Sequence, residues 1–510
     1  MTAVQALAEH IAEYNDLLNA MNILRWDMRT KMPPGGANTR GMQLATLTQH
    51  AKRHFVSDRT AKLLDAAEGE TAQVDPDSYA ARAIAQTRAA YELQKRIPAA
   101  LVGKLAELGP TSEAAWARAK DASDFAAFQP HLEQMLALNI QLADAIGFAD
   151  HPFDALVQQF EPGMTAAQLQ ALFGELRAGL LPLLARIRAK DDSLPRDLWA
   201  QAYPVGAQQQ LCQEFAALIG FDYARGRLDS APHPFEVSFT REDVRITTRY
   251  DSQYLPMSLF AALHEAGHGL YEQNVSPQLT RSALTTDFIG QYAVGGTSYG
   301  AHEFSSRLWE NQIGRSREFW ALHFGRLQRA FPAQLDGVDA ALFHRAVNRV
   351  RPSLIRVEAD EVTYNLHIML RTEIEMALLD RSLAVADLPE AWNAKMQDYL
   401  GLTPPDDARG ALQDVHWSAG AFANFPCYTV GNLMAAQIFA AAHIAMPDLP
   451  DSLARGEYGG LLEWLTREIY QHGRAYSSDE LLDRISGESL STAPLMRYLE
   501  KKYSALYGLN

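Results

Sequence analysis

Residues 235–273, FEVSFTREDVRITTRYDSQYLPMSLFAALHEAGHGLYEQ, contain the change of period that decides the fold. Phe235, Val237 and Phe239 alternate, as do Val244, Ile246 and Thr248, and the polar turn Thr240 to Asp243 joins the two runs, so this part predicts a β-hairpin. From Ser258 the rhythm changes. Leu259, Phe260, Leu263, Leu270 and Tyr271 mark a helix with enough apolar surface to be buried.

Working outward from this stretch, helical periodicity prevails. Leu7, Ile11, Tyr14, Leu17, Leu18 and Met21 predict an opening helix over Val4 to Asn22. Pro33, Pro34, Gly35 and Gly36 break it, and a second helix is expected through Arg40 and Leu44 to about Phe55. Similar patterns fill Asp77 to Leu108, Ser112 to Ala145, Thr165 to Lys190 and Gly206 to Ile219. The chain beyond the hairpin is also nearly all helical, with loops near Ser276 to Ser298 and Thr403 to Ala408. No repeat of fixed period, low-complexity segment or long linker divides the sequence. The expected fold is mostly α, one large helical domain over residues 1–510 with a single small β-sheet.

Bulk properties narrow the classes of function. With 510 residues, 47% apolar and 21% charged, the chain has the composition of a soluble globular protein. A formal charge of −15 argues against nucleic acid as a partner, because binding a polyanion needs a basic face. Cys212 and Cys427 stand far apart in no paired motif, which fits a reducing compartment. Met1 to Asp16 is amphipathic and carries Glu9, Glu13 and Asp16, unlike a signal peptide, and no run approaches the roughly 18 apolar residues of a membrane helix. The expectation is a cytoplasmic protein with no membrane partner.

The helix after the hairpin carries His264, Glu265 and His268. Four residues make just over one turn, so the two imidazoles project from one face and can share an ion. Glu265 lies about 100° round the helix from His264, where it can reach a water at the metal without serving as a ligand. A hydrolytic zinc needs a third protein ligand and one open position. Glu303, in AHEFSSRLWEN, and its neighbour His302 are the candidates, and spacing does not choose between them.

Several further motifs accompany this set. They are Trp26-Asp27 with Met32-Pro33 and Arg40, His233-Pro234-Phe235, Asp243-x-Arg245-x-Thr247, His302-Glu303, Ile355-Arg356-x-x-Ala359-Asp360, and Gly410-x-x-Gln413-Asp414-x-His416-Trp417. In this order the chain resembles, over its whole length, the carboxypeptidase Taq family of glutamate-zincin metallocarboxypeptidases. The resemblance implies a neurolysin-like fold of two helical lobes flanking a deep active-site groove, with the small sheet at its rim. It implies Glu303 as the third ligand, zinc as the cofactor with cobalt able to replace it, and a homodimer. It also implies release of single C-terminal residues, with broad specificity, from peptides with a free C-terminus.

On that reading Glu265 is the catalytic base, and Arg356 receives the terminal carboxylate, for which a guanidinium is the best match. Arg356, Asp360, Thr363, Tyr364, His367 and Arg371 recur at three and four residue steps, which predicts a polar stripe on a helix facing a wet groove, with Asp360 orienting Arg356 or a ligand histidine. By resemblance His416 and Tyr428 stabilise the oxyanion. Asp243 with Arg245 reads equally as a structural ion pair or a substrate contact, and the Trp26-Asp27 region and Cys427 as structural. The chain departs from the family pattern at Phe304-Ser305-Ser306, at Ala423-Asn424 and Cys427, and in a longer loop holding Gly290, Gly295 and Gly296. The competing readings are a zinc endopeptidase or dipeptidyl carboxypeptidase of the same group, and a non-catalytic helical scaffold for partners.

Overall fold

The structure is a computed structural model and describes residues 1–190 and 197–509. It is mostly helical, as expected, with a small three-stranded sheet and, beyond the single sheet expected, a two-stranded one pairing Thr286–Asp287 with Tyr292–Ala293, and it divides into two compact units. The first unit comprises Met1–Gln94, Leu194–Val347 and Met434–Leu490, and the second Lys95–Ser193, Asn348–Leu433 and Ser491–Asn510.

In the first unit, helix α1 spans Ala3–Thr30 and begins with a capping box between Thr2 and Gln5. Leu7, Ile11, Tyr14, Leu18 and Met21 are buried against Phe55, Leu64, Tyr91 and Phe288. The helix runs eight residues beyond the expected Asn22. Its extension is anchored by Trp26, which packs with Val237 and Phe239 of the sheet.

That sheet contains β1 (Gly226–Ser230), β2 (Glu236–Thr240) and β3 (Asp243–Thr248) in the order β1-β3-β2. β2 and β3 are antiparallel and form the expected hairpin, whereas β1 pairs parallel to β3. The sequence of β1, GRLDS, has one large apolar residue and no alternation to announce a strand. Arg245 grips Asp243 through two 2.9 Å hydrogen bonds and lies 4.5 Å above the Trp26 ring. Asp27 pairs with Arg40 at 2.9 Å. Asp243 and Arg245 thus form the ion pair of the structural reading, and Arg245 joins α1 to the sheet through Trp26.

Helix α2, Leu255–Gln273, packs on β3 and is enclosed, with Leu259, Leu263, Ala266 and Leu270 fully buried. Helix α3, Tyr299–Arg307, starts where Ser298 Oγ accepts the Ala301 N–H and continues into a π-helical segment, Leu308–Gly314. The helices α2 and α3 touch backbone to backbone at Gly267. A Cβ there would lie 2.6 Å from Ser306 Cα and 2.7 Å from the Ser305 carbonyl oxygen. Ser305 Oγ uses the same approach to donate to the Gly267 carbonyl at 2.6 Å. Gly267→Ala is therefore expected to lower unfolding free energy by about 1–3 kcal/mol, the range for overpacking a tight core, measured by denaturant titration.

The second unit includes the helices Ala99–Ala122, Phe125–Ile146 and Ala166–Arg188, then α4 (Tyr364–Leu379) and the first turns of α5 (Pro426–Ala445). Two long expected helices are each divided. The stretch 77–108 breaks at Pro98, whose ring disfavours a helical residue before it. The stretch 112–145 breaks at Ser123, which turns left-handed at φ 53°, and Asp124 restarts the next helix by accepting the Ala127 N–H.

Candidate active site

α2 and α3 bring three donors together. Glu303 Oε2 stands 3.6 Å from His264 Nε2 and 3.4 Å from His268 Nε2. A tetrahedral ion with bonds of about 2.1 Å needs donors about 3.4 Å apart, so the set fits one such ion. The rings of His264 and His268 are inclined at 81°, which lets both in-plane lone pairs converge. Burial and the neighbouring His302 lower His268 to about 3, so its imidazole is neutral and able to ligate. Burial opposes the charge on Glu303, but Arg307, His264 and His268 outweigh it and hold the carboxyl far below the ordinary glutamate range.

The neighbouring His302 is engaged elsewhere. Its Nε2 lies 3.0 Å from Glu272 Oε1, and its ring stacks on His268 at 4.5 Å. Glu272 in turn accepts the Gly295 N–H at 2.9 Å, which ties the long loop to α2. Glu265 is buried, and burial raises its carboxyl to about 7, with His264 pulling it down and Glu303 and Glu310 pushing it up.

Three side chains that the sequence motifs do not single out complete this centre. Arg307 Nε donates to Glu303 Oε1 at 2.6 Å, so Oε2 is the oxygen left to face the histidines. Glu310 Oε2 lies 3.0 Å from His264 Nδ1, and Arg315 Nη2 donates to Glu310 Oε1 at 3.0 Å. Positions four and seven beyond Glu303 fall on its face of a helix, and that was the available signal.

A second grouping of donors, His10, Glu13 and His54, is a poorer fit. The two rings stack on each other at 4.1 Å with an angle of 28°, and His54 Nε2 already meets the His10 carbonyl at 3.0 Å.

In the second unit Arg356 lies in a 3₁₀ turn, Arg356–Glu358, and not at the start of a helix as expected. Asp360 accepts the N–H groups of Val362 and Thr363 in the turn that leads into α4, so its carboxylate is engaged there and not with Arg356. Nor is the polar stripe wet, since Thr363, His367 and Arg371 are fully buried. The neutralising partner of Arg356 and Arg371 is Asp414. Arg356 reaches Asp414 Oδ1 through Nη2 at 2.9 Å and Nε at 3.2 Å, and Arg371 Nε reaches Oδ2 at 2.7 Å. Burial opposes ionisation of Asp414, but the two guanidinium groups dominate and hold it far below the carboxylate range.

Tyr364 Oη accepts from Arg356 Nη1 at 3.0 Å, and the Tyr428 ring centre is 5.1 Å from the guanidinium. His416 Nε2 lies 3.3 Å from Tyr428 Oη. Burial lowers His416 to about 4, so the ring is neutral near pH 7. The structure thus brings Arg356, His416 and Tyr428 together as one cluster. Ala423 takes a left-handed φ of 64°, and its N–H donates to Glu375 at 3.1 Å.

Two histidines one helical turn apart, a glutamate between them and a carboxylate from the next helix define a metal-dependent peptide hydrolase. The chain belongs to the carboxypeptidase Taq (M32) metallopeptidase family, whose sequence profile matches residues 6–503. It is 40% identical to thermostable carboxypeptidase 1 of Thermus thermophilus over 516 residues, covering 99% of each chain. It is 37% identical to carboxypeptidase 1 of Bacillus subtilis, covering 99% of this chain and 98% of the other. The crystal structure of an M32 carboxypeptidase from Deinococcus radiodurans superposes with a TM-score of 0.93 at 39% identity, covering 99% of both chains. No helix among the described residues is long and apolar enough to cross a membrane.

Proposed function

We propose that this metallocarboxypeptidase holds zinc through His264, His268 and Glu303 and releases single residues, with broad specificity, from the free C-terminus of peptides. The observation that carries the reading is the 3.4–3.6 Å spacing between Glu303 Oε2 and the two imidazole nitrogens. When bound, the metal supplies Lewis acidity that activates water and polarises the scissile carbonyl, and cobalt can replace zinc in that role. The chain's own residues do the rest.

Glu265 takes the proton from the attacking water and passes it to the leaving amine. Its buried position, one residue from His264, supports that role. Arg356 receives the substrate's terminal carboxylate. Three of its five N–H groups are directed at Asp414 and Tyr364, which fixes the plane of the guanidinium and leaves two for an incoming carboxylate. Neutral His416 and Tyr428, in contact with each other, supply donors for the oxyanion.

By the family resemblance the enzyme works as a homodimer, and its cysteine usage supports a cytoplasmic location. Cys212 and Cys427 are both buried and outside any disulfide, which accords with a reducing compartment.

A matched pair of peptides, one with a free and one with an amidated C-terminus, tests the function by mass spectrometry of a time course. Stepwise loss of single residues from the free peptide alone is expected. Equal cleavage of the amidated peptide would assign an endopeptidase instead.

A further inference from the structure

We propose that Glu310 is a positioning residue for the metal centre, holding His264 in the tautomer that ligates through Nε2 and linking it through Arg307 to the ligand carboxylate of Glu303. The proposal rests on the metal site described above and extends it to a residue that the motifs leave out.

An ionised carboxylate only accepts hydrogen bonds. Glu310 Oε2, 3.0 Å from His264 Nδ1, therefore places the ring proton on Nδ1 and leaves the Nε2 lone pair pointing toward Glu303. A histidine without this partner can carry its proton on either nitrogen, and the tautomer protonated on Nε2 cannot ligate through that atom.

Glu310 is itself held from two sides. Arg315 Nη2 donates to its Oε1 at 3.0 Å, and Arg307 Nη1 lies 3.4 Å from its Oε2. Arg307 also donates to Glu303 Oε1 at 2.6 Å. One chain of contacts, from His264 to Glu310 to Arg307 to Glu303, therefore joins ligands carried by two helices.

Arg315 is anchored in turn. It donates to Asn311 Oδ1 at 3.1 Å and to the Val347 carbonyl at 2.8 Å, and its guanidinium sits 3.7 Å from the centre of the Phe260 ring, one turn before His264 on α2. His268 has no comparable support: among the described residues its buried Nδ1 meets no hydrogen-bond partner, and the ring stacks on His302. Polar control of the two histidine ligands is thus concentrated on His264.

The local backbone agrees with a special role. Glu310 lies in the π-helical segment Leu308–Gly314, a conformation that is rare and recurs at functional sites.

The test measures zinc affinity by competition with a chromophoric chelator for metal-stripped wild type, Glu310→Ala and Glu310→Gln. Circular dichroism of each metal-free protein reports folding. Weakening of zinc binding by about 10–100-fold is expected for Glu310→Ala, the usual cost of losing such a partner. A smaller loss is expected for Glu310→Gln, whose amide oxygen still accepts from Nδ1. A purely structural role would change the folding signal and leave the affinity of the folded protein intact. Should Glu310→Ala fail to fold, Glu310→Gln decides. Wild-type affinity in a folded variant overturns the proposal while the zinc reading stands. A wild-type protein that takes up no zinc overturns both.

Discussion

Glu265→Gln is expected to lose roughly 10²–10⁴-fold in kcat against a C-terminally free peptide while keeping its full complement of metal. The amide nearly matches the carboxylate in shape but cannot accept a proton. Glu265 is not one of the three donors, so the spacing of His264, His268 and Glu303 is left intact. Burial places its carboxyl near neutrality at about 7, where a group can both take and return a proton. Metal analysis beside single-turnover kinetics checks the two halves together. Wild-type turnover with metal bound would remove Glu265 from the mechanism.

The second large effect concerns stability. Asp414→Ala is expected to cost about 3–5 kcal/mol in unfolding free energy, measured by denaturant titration. Arg371 is fully buried, Arg356 nearly so, and both depend on this carboxylate for counter-charge. Removing it leaves two guanidinium groups facing each other without an anion. The backbone N–H of Arg356 and Nη2 of Arg371 also share Gln413 Oε1, so Arg356 loses its fixed orientation along with its charge partner. A variant as stable as wild type would show that Asp414 neutralises neither arginine to any net advantage.

Much of this molecule was legible because its signals are periodic. The helices from Ala3 to Phe55 and the hairpin before α2 follow directly from the spacing of apolar residues. The histidine pair with Glu265 was equally clear, because one helical turn is enough to specify the chemistry. The choice between His302 and Glu303 was not, since neighbouring residues differ only in where the helix turns them. The family resemblance points to Glu303, and the engagement of His302 by Glu272 accords with it. The stripe beginning at Arg356 misled for a related reason. Polar residues at helical spacing read as a solvated face, yet Asp414, 58 residues further along, neutralises them in the interior. Glu310 escaped notice because its function depends on contact with a ring on another helix. Strand β1 escaped because its neighbours, and not its own composition, make it a strand.

The meeting of Gly267 and Ser305 has a bearing on how the enzyme is loaded. The close approach at Gly267, closed by the Ser305 hydroxyl, sets the separation of the two helices that carry the donors. The cage is thus preorganised during folding, and the entropy of ordering it is not charged against ion capture. On the metal reading proposed above, exchange of one divalent ion for another of similar size is expected to leave the two helices in place.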